Sequence, residues 1–227
     1  MKEIINEYGD RLIKTTGTHG ADISSQRLDD LDVLSLIHAL SLEKENKMAL
    51  DLGCGKGIHS LRLNLLGLSV HMYDIMDISS SINLIKETLS INNESFRFFN
   101  ANIEHLQLEA NILFDIVYSQ RFIHYLKYEK AIELVEKLYL HTNKGGRVFI
   151  SASGMNSELS SNYSCKDYSI EKRFGLLSSE MMNKHDIREP VCLYYPNELE
   201  NLFLMAGYKT IEIKSSSFGN VKAVFEK

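Results

Sequence analysis

The chain has 227 residues, of which 44% are hydrophobic and 24% charged, enough to bury one sizeable core in one folded unit. With 25 Lys plus Arg against 30 Asp plus Glu, the net charge of -5 supplies no footprint for a phosphate backbone, so no nucleic-acid partner is expected. Cys54, Cys165 and Cys192 are odd in number, widely spaced and free of any CxxC or Cys/His cluster, which speaks against a disulfide framework or a zinc site and predicts free thiols in a reducing compartment.

The opening MKEIINEYGDRLIK mixes charge into every turn and lacks a signal-peptide core, and no later apolar run reaches membrane-span length. A cytoplasmic protein with no membrane partner is expected. Residues 1–44 read as an N-terminal helical and lid segment, with a helix from Ser25 to Leu42 on Leu28, Leu31, Leu34, Ile37 and Leu40, and Ser24 or Ser25 as its N-cap. MALDLG (48–53) then reads as a buried strand, Ile58 to Leu66 as a helix, SVHMYD (69–74) as a second strand and SSSINLIKETL (79–89) as a helix opening on serine caps. FRFFNAN (96–102) and FDIVYS (114–119) follow as strands, a helix over roughly 129–141 ends before Asn143 and Gly145, and RVFISAS (147–153) is a fifth strand.

This alternation of strand and helix predicts a doubly wound α/β domain over 45–227. It stops in a polar stretch over 153–196, read as an insertion above the sheet with a helical fragment in RFGLLSSEMMNKH. The chain closes with a helix, NELENLFLMAG (197–207), and two strand-like runs, YKTIEIKSS and KAVFEK, joined around Gly219 and Asn220.

The chemistry concentrates in ALDLGCGKGIHS (49–60), where Gly53, Gly55 and Gly57 alternate directly after a strand carrying Asp51. A strand entering a glycine turn and then a helix presents free backbone N–H groups at the carboxyl edge of the sheet, where open α/β sheets bind ligands. A dinucleotide fingerprint needs Gly or Ala at position 58, and Ile58 stands there. With Asp51 before it, the G-x-G-x-G run resembles motif I of the class I S-adenosylmethionine-dependent methyltransferases. The resemblance continues through FDIVYSQRFIHYL (114–126) and KLYLHTNKGGRVFIS (137–151), and covers roughly residues 45–227 apart from the insertion.

The resemblance implies a Rossmann-like seven-stranded sheet, mostly parallel with the last strand antiparallel, S-adenosyl-L-methionine as cofactor and S-adenosyl-L-homocysteine as product. Asp51 is then the partner of the methionyl ammonium, and the glycines let the chain approach the adenosyl group closely. Asp74, 21 residues after Gly53, is expected on the ribose hydroxyls, Asp77 being the acid placed to serve the following helix instead. Asn102 stands where the family often carries an acid for the adenine amino group, an amide being able to make the same hydrogen bonds. Cys54, Ile75, Ile103 and Ser119 complete the expected cofactor contacts.

Methyl transfer from a sulfonium is an in-line displacement in which the cofactor supplies the reactive carbon and the protein holds the acceptor in place. The loop Ser119 to Tyr125 is expected to face the acceptor. His124 is its best general base by reference pKa, with helix packing as the alternative role, and Arg121 can clamp a carboxylate or phosphate or pair with a surface acid. Gln120, Tyr125, Tyr163 and Tyr194 are expected around the acceptor, with His19 of the polar TTGTHG stretch (15–20) on a lid. No metal is expected. Ser119 followed by Gln120, Arg121 and Phe122 does not fit the amino-methylating nucleic-acid enzymes, and no cysteine precedes a proline as in cytosine-C5 enzymes. The expected function is methylation of an O or N atom of a small molecule; the alternatives are a tRNA or protein acceptor docked by the insertion, and a cofactor-binding module without turnover.

Overall fold

The computed structural model describes residues 28–227 together with two short strands, β1 (Ile4–Ile5) and β2 (Arg11–Leu12), which pair antiparallel. His19, the TTGTHG stretch and the serines at 24 and 25 lie outside the described residues. Helix α1 (Asp30–Ser41) starts later than its apolar spacing suggests. Asp29 is its N-cap: the Asp29 carboxylate accepts from Leu31 N at 3.0 Å, and the Asp32 carboxylate accepts from Asp29 N at 2.7 Å. Leu28 therefore precedes the helix and is 52% exposed.

The middle of the chain alternates as expected: β3 (Met48–Leu52), α2 (Ile58–Leu65), β4 (Ser69–Asp74), α3 (Ser79–Leu89), β5 (Phe96–Asn100), β6 (Phe114–Gln120), α4 (Tyr128–His141) and β7 (Thr142–Ala152). Helix α3 is not capped by a serine side chain: its N-cap is Ile78, and Asp77 Oδ1 accepts from Ser79 N at 3.0 Å. Strand β7 begins before the expected Arg147, because Gly145 N–H donates to Lys227 O (2.8 Å) and Gly146 O accepts from Lys227 N (3.1 Å), holding 142–146 against the end of the chain. Residues 153–195 carry two more short strands, β8 (Phe174–Gly175) and β9 (Val191–Cys192), with α5 (Ser179–His185) between them. The run read as one helical fragment thus divides into a strand, paired Gly175 to Val191, and a short helix. Helix α6 (Pro196–Ala206) leads into the hairpin β10 (Lys209–Ser215) and β11 (Val221–Glu226).

The seven-stranded sheet runs β10-β11-β7-β6-β3-β4-β5. Strands β3 to β7 pair in parallel, and β11 is antiparallel to both β7 and β10. The reversal follows from the turn at 216–220, too short for any crossover that would return β11 parallel. One face carries α1 to α3 over Leu31, Ala49, Leu63, Met72 and Phe149; the other carries α4 and α6 over Leu50, Val117, Val148 and Phe225. On the latter, Phe203 stacks on Phe225 at 4.2 Å between ring centroids, a burial contributing about 2 to 3 kcal/mol per ring.

The insertion folds on a small core of its own, Met155, Leu159, Leu177, Met181 and Leu193 among its members. Arg173, buried, ties the insertion to itself through Leu193 O (3.1 Å) and fastens it to α6 through Glu198 Oε2 (2.6 Å). Among the described residues no helix is long and apolar enough to cross a membrane.

Candidate functional site

Strand β3 ends at the carboxyl edge of the sheet and passes into the glycine turn. Gly53, Gly55 and Gly57 have φ of +69°, +54° and +71°, a left-handed run that side-chain-bearing residues resist. Space adds a second constraint: a Cβ on Gly53 would stand 2.9 Å from Phe122 Cβ, and one on Gly57 would stand 3.0 Å from Ile82 Cδ1. Tyr73 O accepts from both Gly53 N (2.9 Å) and Cys54 N (3.2 Å), which ties the turn to β4. Gly57 caps α2 without a side-chain hydrogen bond, so the first amides of the helix are left for a ligand.

Asp51 lies on the face covered by α2 and is 2% exposed. Ser60 Oγ donates to its Oδ2 at 2.5 Å. Burial, reinforced by the negative charges of Asp74 and Asp32, pushes its pKa to about 7 against the opposing Ser60 hydrogen bond. At the end of β4, Asp74 accepts from Gly55 N (2.8 Å) through one oxygen and from Met76 N (2.9 Å) through the other. Ile75 beside it is 56% exposed, an apolar surface at the rim. Asn102 Oδ1 accepts from Glu104 N at 3.0 Å and caps the turn of 103–105, with Ile103 buried beneath. Ser119 is not open to a ligand: its hydroxyl donates to Leu52 O at 3.1 Å and the residue is buried.

Beside Asp51 lies a polar group that the sequence reading missed. Asp32 is fully buried, and its Oδ1 accepts from the Tyr118 hydroxyl and stands 3.1 Å from His59 Nδ1. His59 Nε2 is 2.9 Å from Ser35 Oγ, and its ring stacks on Tyr118 with centroids 3.9 Å apart. Burial pushes the His59 pKa down to about 4, which leaves its imidazole uncharged at neutral pH. Asp32 and Ser35 are a turn apart on one arc of α1; that arc, set beside Leu31, was the available signal.

After β6 the chain turns sharply at Arg121, whose φ is +52°. Its N–H is shared by Ser151 O (3.0 Å) and Ser151 Oγ (2.9 Å), which fixes the turn against β7. His124 is not presented as a general base. It is buried, its Nδ1 accepts from Ser153 N at 3.3 Å, and its Nε2 lies 3.3 Å from Ser153 Oγ. Tyr125 packs at 4.3 Å beside it and joins the insertion core. Tyr163 and Tyr194, expected around the acceptor, are interior residues. The Tyr163 hydroxyl is held by Val191 O at 2.6 Å and by Arg173 O, and Tyr194 is fully buried in the α4–α6 core, because the insertion closes on apolar side chains there.

A cavity of about 420 Å³ opens instead at the carboxyl edge on the α1 face, lined by Leu28, Gln120, Arg121, Ser151 and the β10–β11 hairpin. None of its lining comes from 153–196. Among the described residues no group of His, Cys, Asp or Glu could hold a metal ion.

A seven-stranded sheet of this order, with the glycine turn and two acids at its switch point, defines a class I S-adenosylmethionine-dependent methyltransferase domain. Solved structures share the fold: a 1,6-didemethyltoxoflavin-N1-methyltransferase of Burkholderia thailandensis superposes with a TM-score of 0.65 at 14% identity, covering 91% of this chain and 81% of its own. An S-adenosylmethionine-dependent methyltransferase of Methanosarcina mazei gives 0.60 at 20% identity, over 81% of this chain and 93% of its own. The chain belongs to the tellurite resistance protein TehB family, which it matches over residues 31–190. A probable S-adenosyl-L-methionine-dependent methyltransferase TehB of Haemophilus influenzae is 28% identical over 147 residues, 65% of this chain and 45% of that one. A ribosomal protein L11 methyltransferase of Campylobacter fetus is 32% identical over 122 residues, 52% of this chain and 39% of that one. The chain thus spans less than half the length of these curated relatives.

Proposed function

We propose that the protein is a cytoplasmic S-adenosylmethionine-dependent methyltransferase acting on an O or N atom of a small molecule. The observation that carries the reading is the buried Asp51 carboxylate next to three left-handed glycines, with Asp74 across the turn. A pyrophosphate cofactor would meet repulsion from Asp51 beside the turn, whereas a cofactor bearing an ammonium and a ribose finds a partner for each in Asp51 and Asp74. The fit is therefore good: Asp51 takes the ammonium, the backbone of Gly53, Cys54, Gly55 and Gly57 lies along the methionyl and ribose parts, and Asp74 takes the ribose hydroxyls. Ile75 and Ile103 flank the purine, and Asn102 meets its edge with the amide nitrogen that its cap leaves available.

When bound, the cofactor supplies a methyl carbon whose bond to the sulfonium breaks, the pair returning to sulfur, as an acceptor lone pair forms the new bond and the acceptor's proton passes to water. The chain's own part is positioning. With His124 turned to Ser153, the loop after β6 aligns the acceptor rather than removing a proton. The names of the Haemophilus and Burkholderia proteins support this reading.

Isothermal titration with S-adenosylhomocysteine, with NAD as control, tests it; binding of the former alone is expected, and preference for NAD overturns it. Asp74→Ala should weaken that binding by about 1 to 3 kcal/mol through loss of a charge-assisted hydrogen bond. Unchanged affinity in a folded variant would sink the ribose assignment. Gly53→Val, which meets both the left-handed backbone and Phe122, should abolish measurable binding in the same titration.

A further inference from the structure

The pairing register places Gln120 beside Ser151, Ser151 beside Lys222 and Lys222 beside Lys214, one row across β6, β7, β11 and β10. Directly paired residues of neighbouring strands point to the same side of a sheet, so these side chains form one floor. Above it lies the cavity of about 420 Å³, walled by the start of α1 on one side and by residues 215–218 of the hairpin on the other. The floor begins one strand from the glycine turn, since Asp51 pairs with Tyr118, two residues before Gln120. Phe122, in the same loop, closes against Gly53.

The charges of this cavity are unequally satisfied. Lys222 is held by Asp29 at 2.7 Å and by Asp30; Lys214 is held by Asp30 at 3.1 Å and Glu212 at 2.6 Å. Arg121 lines the same space, and among the described residues no carboxylate pairs with its guanidinium. Its backbone sits in the left-handed region, which a long side chain tolerates only where its surroundings fix it, and here two bonds to Ser151 do so. Ser151, Ser215, Ser216 and Ser217 line the same cavity, while Leu28 and Phe218, 52% and 40% exposed, give it its apolar surface.

Resting on the methyltransferase reading, we infer that this cavity takes the methyl acceptor, and that the acceptor is a small organic anion whose carboxylate or phosphate pairs with Arg121 and the serine hydroxyls. The planar guanidinium matches either oxyanion in a two-point contact, and the rest of the molecule lies against Leu28 and Phe218. The volume suits a molecule of about one ring, near the lower end of small-molecule sites.

The test is isothermal titration of the full chain with benzoate, phenyl phosphate and the uncharged isostere benzamide, each with and without saturating S-adenosylhomocysteine. Benzoate or phenyl phosphate should bind about tenfold or more tightly than benzamide, as expected of a charge-assisted two-point contact. Arg121→Gln should erase that preference and leave S-adenosylhomocysteine affinity within about twofold, while Arg121→Lys, which keeps the charge but not the fork, retains part of it. Equal binding of the three probes, binding of none of them, or an undiminished preference in Arg121→Gln overturns the anion site. Failure of S-adenosylhomocysteine to bind is a separate result: it overturns the methyltransferase reading and the acceptor role with it, while the titrations without it still decide whether the cavity selects anions.

Discussion

Asp32→Ala should destabilise the protein by about 2 to 5 kcal/mol, the cost of orphaning a buried hydroxyl together with losing half of a helix capping box. The Asp32 carboxylate accepts from Asp29 N at the start of its own helix and from the Tyr118 hydroxyl on β6, and it stands 3.1 Å from His59 Nδ1 on α2. Alanine leaves the buried Tyr118 hydroxyl without its acceptor, and it also removes half of the capping box of α1. Tyr118→Phe removes one donor and leaves the carboxylate its other contacts, so it should cost only about 1 kcal/mol. Urea unfolding of both variants decides the matter: an Asp32→Ala loss no larger than that of Tyr118→Phe would mean that the network adds nothing beyond its single hydrogen bonds.

Most of the fold was legible because the strands are apolar on both faces and the glycine turn is local. Residues 48–74 are contiguous, so the sequence itself brings Asp51, the glycines and Asp74 to one edge. The cap of α1 was misplaced because apolar spacing runs back to Leu28, while the competing capping box, Asp29 with Asp32, lies inside that spacing. His124 could not be assigned from its reference pKa, since Ser153, 29 residues later, decides where its ring nitrogens turn. Tyr163 and Tyr194 looked like pocket residues in a polar stretch, yet the stretch carries enough Met, Leu and Ile at irregular spacing to build its own core. The cavity beside Arg121 left no local motif. Gln120, Ser151 and Lys222 meet there only through strand register, which no single window of sequence contains.

Affinity for S-adenosylhomocysteine should rise about tenfold between pH 6 and pH 8, following ionisation of Asp51. The pKa of Asp51 is pushed to about 7, first by burial and then by Asp74 and Asp32, so near pH 6 most of the protein carries an uncharged acid there. A methionyl ammonium binds the ionised form; the apparent dissociation constant therefore falls as pH rises through 7 and levels off above it. Stability of the free protein has the opposite sign. Because the folded pKa stands above the unfolded value, the folded state holds more protons, and the Asp51 contribution is complete below about pH 4 and lost as pH rises through 7, on the order of 4 kcal/mol. His59, pushed down to about 4, slopes the other way over about pH 4 to 6.5, so the Asp51 contribution is read as the difference between wild type and Asp51→Asn. That variant should bind more weakly at pH 8, with a flat pH profile, and should be the more stable of the two without cofactor at that pH. Titration and urea unfolding at both pH values check the pair of signs; an affinity profile that stays steep in Asp51→Asn would assign the ionisation to another group and remove Asp51 from the ammonium site.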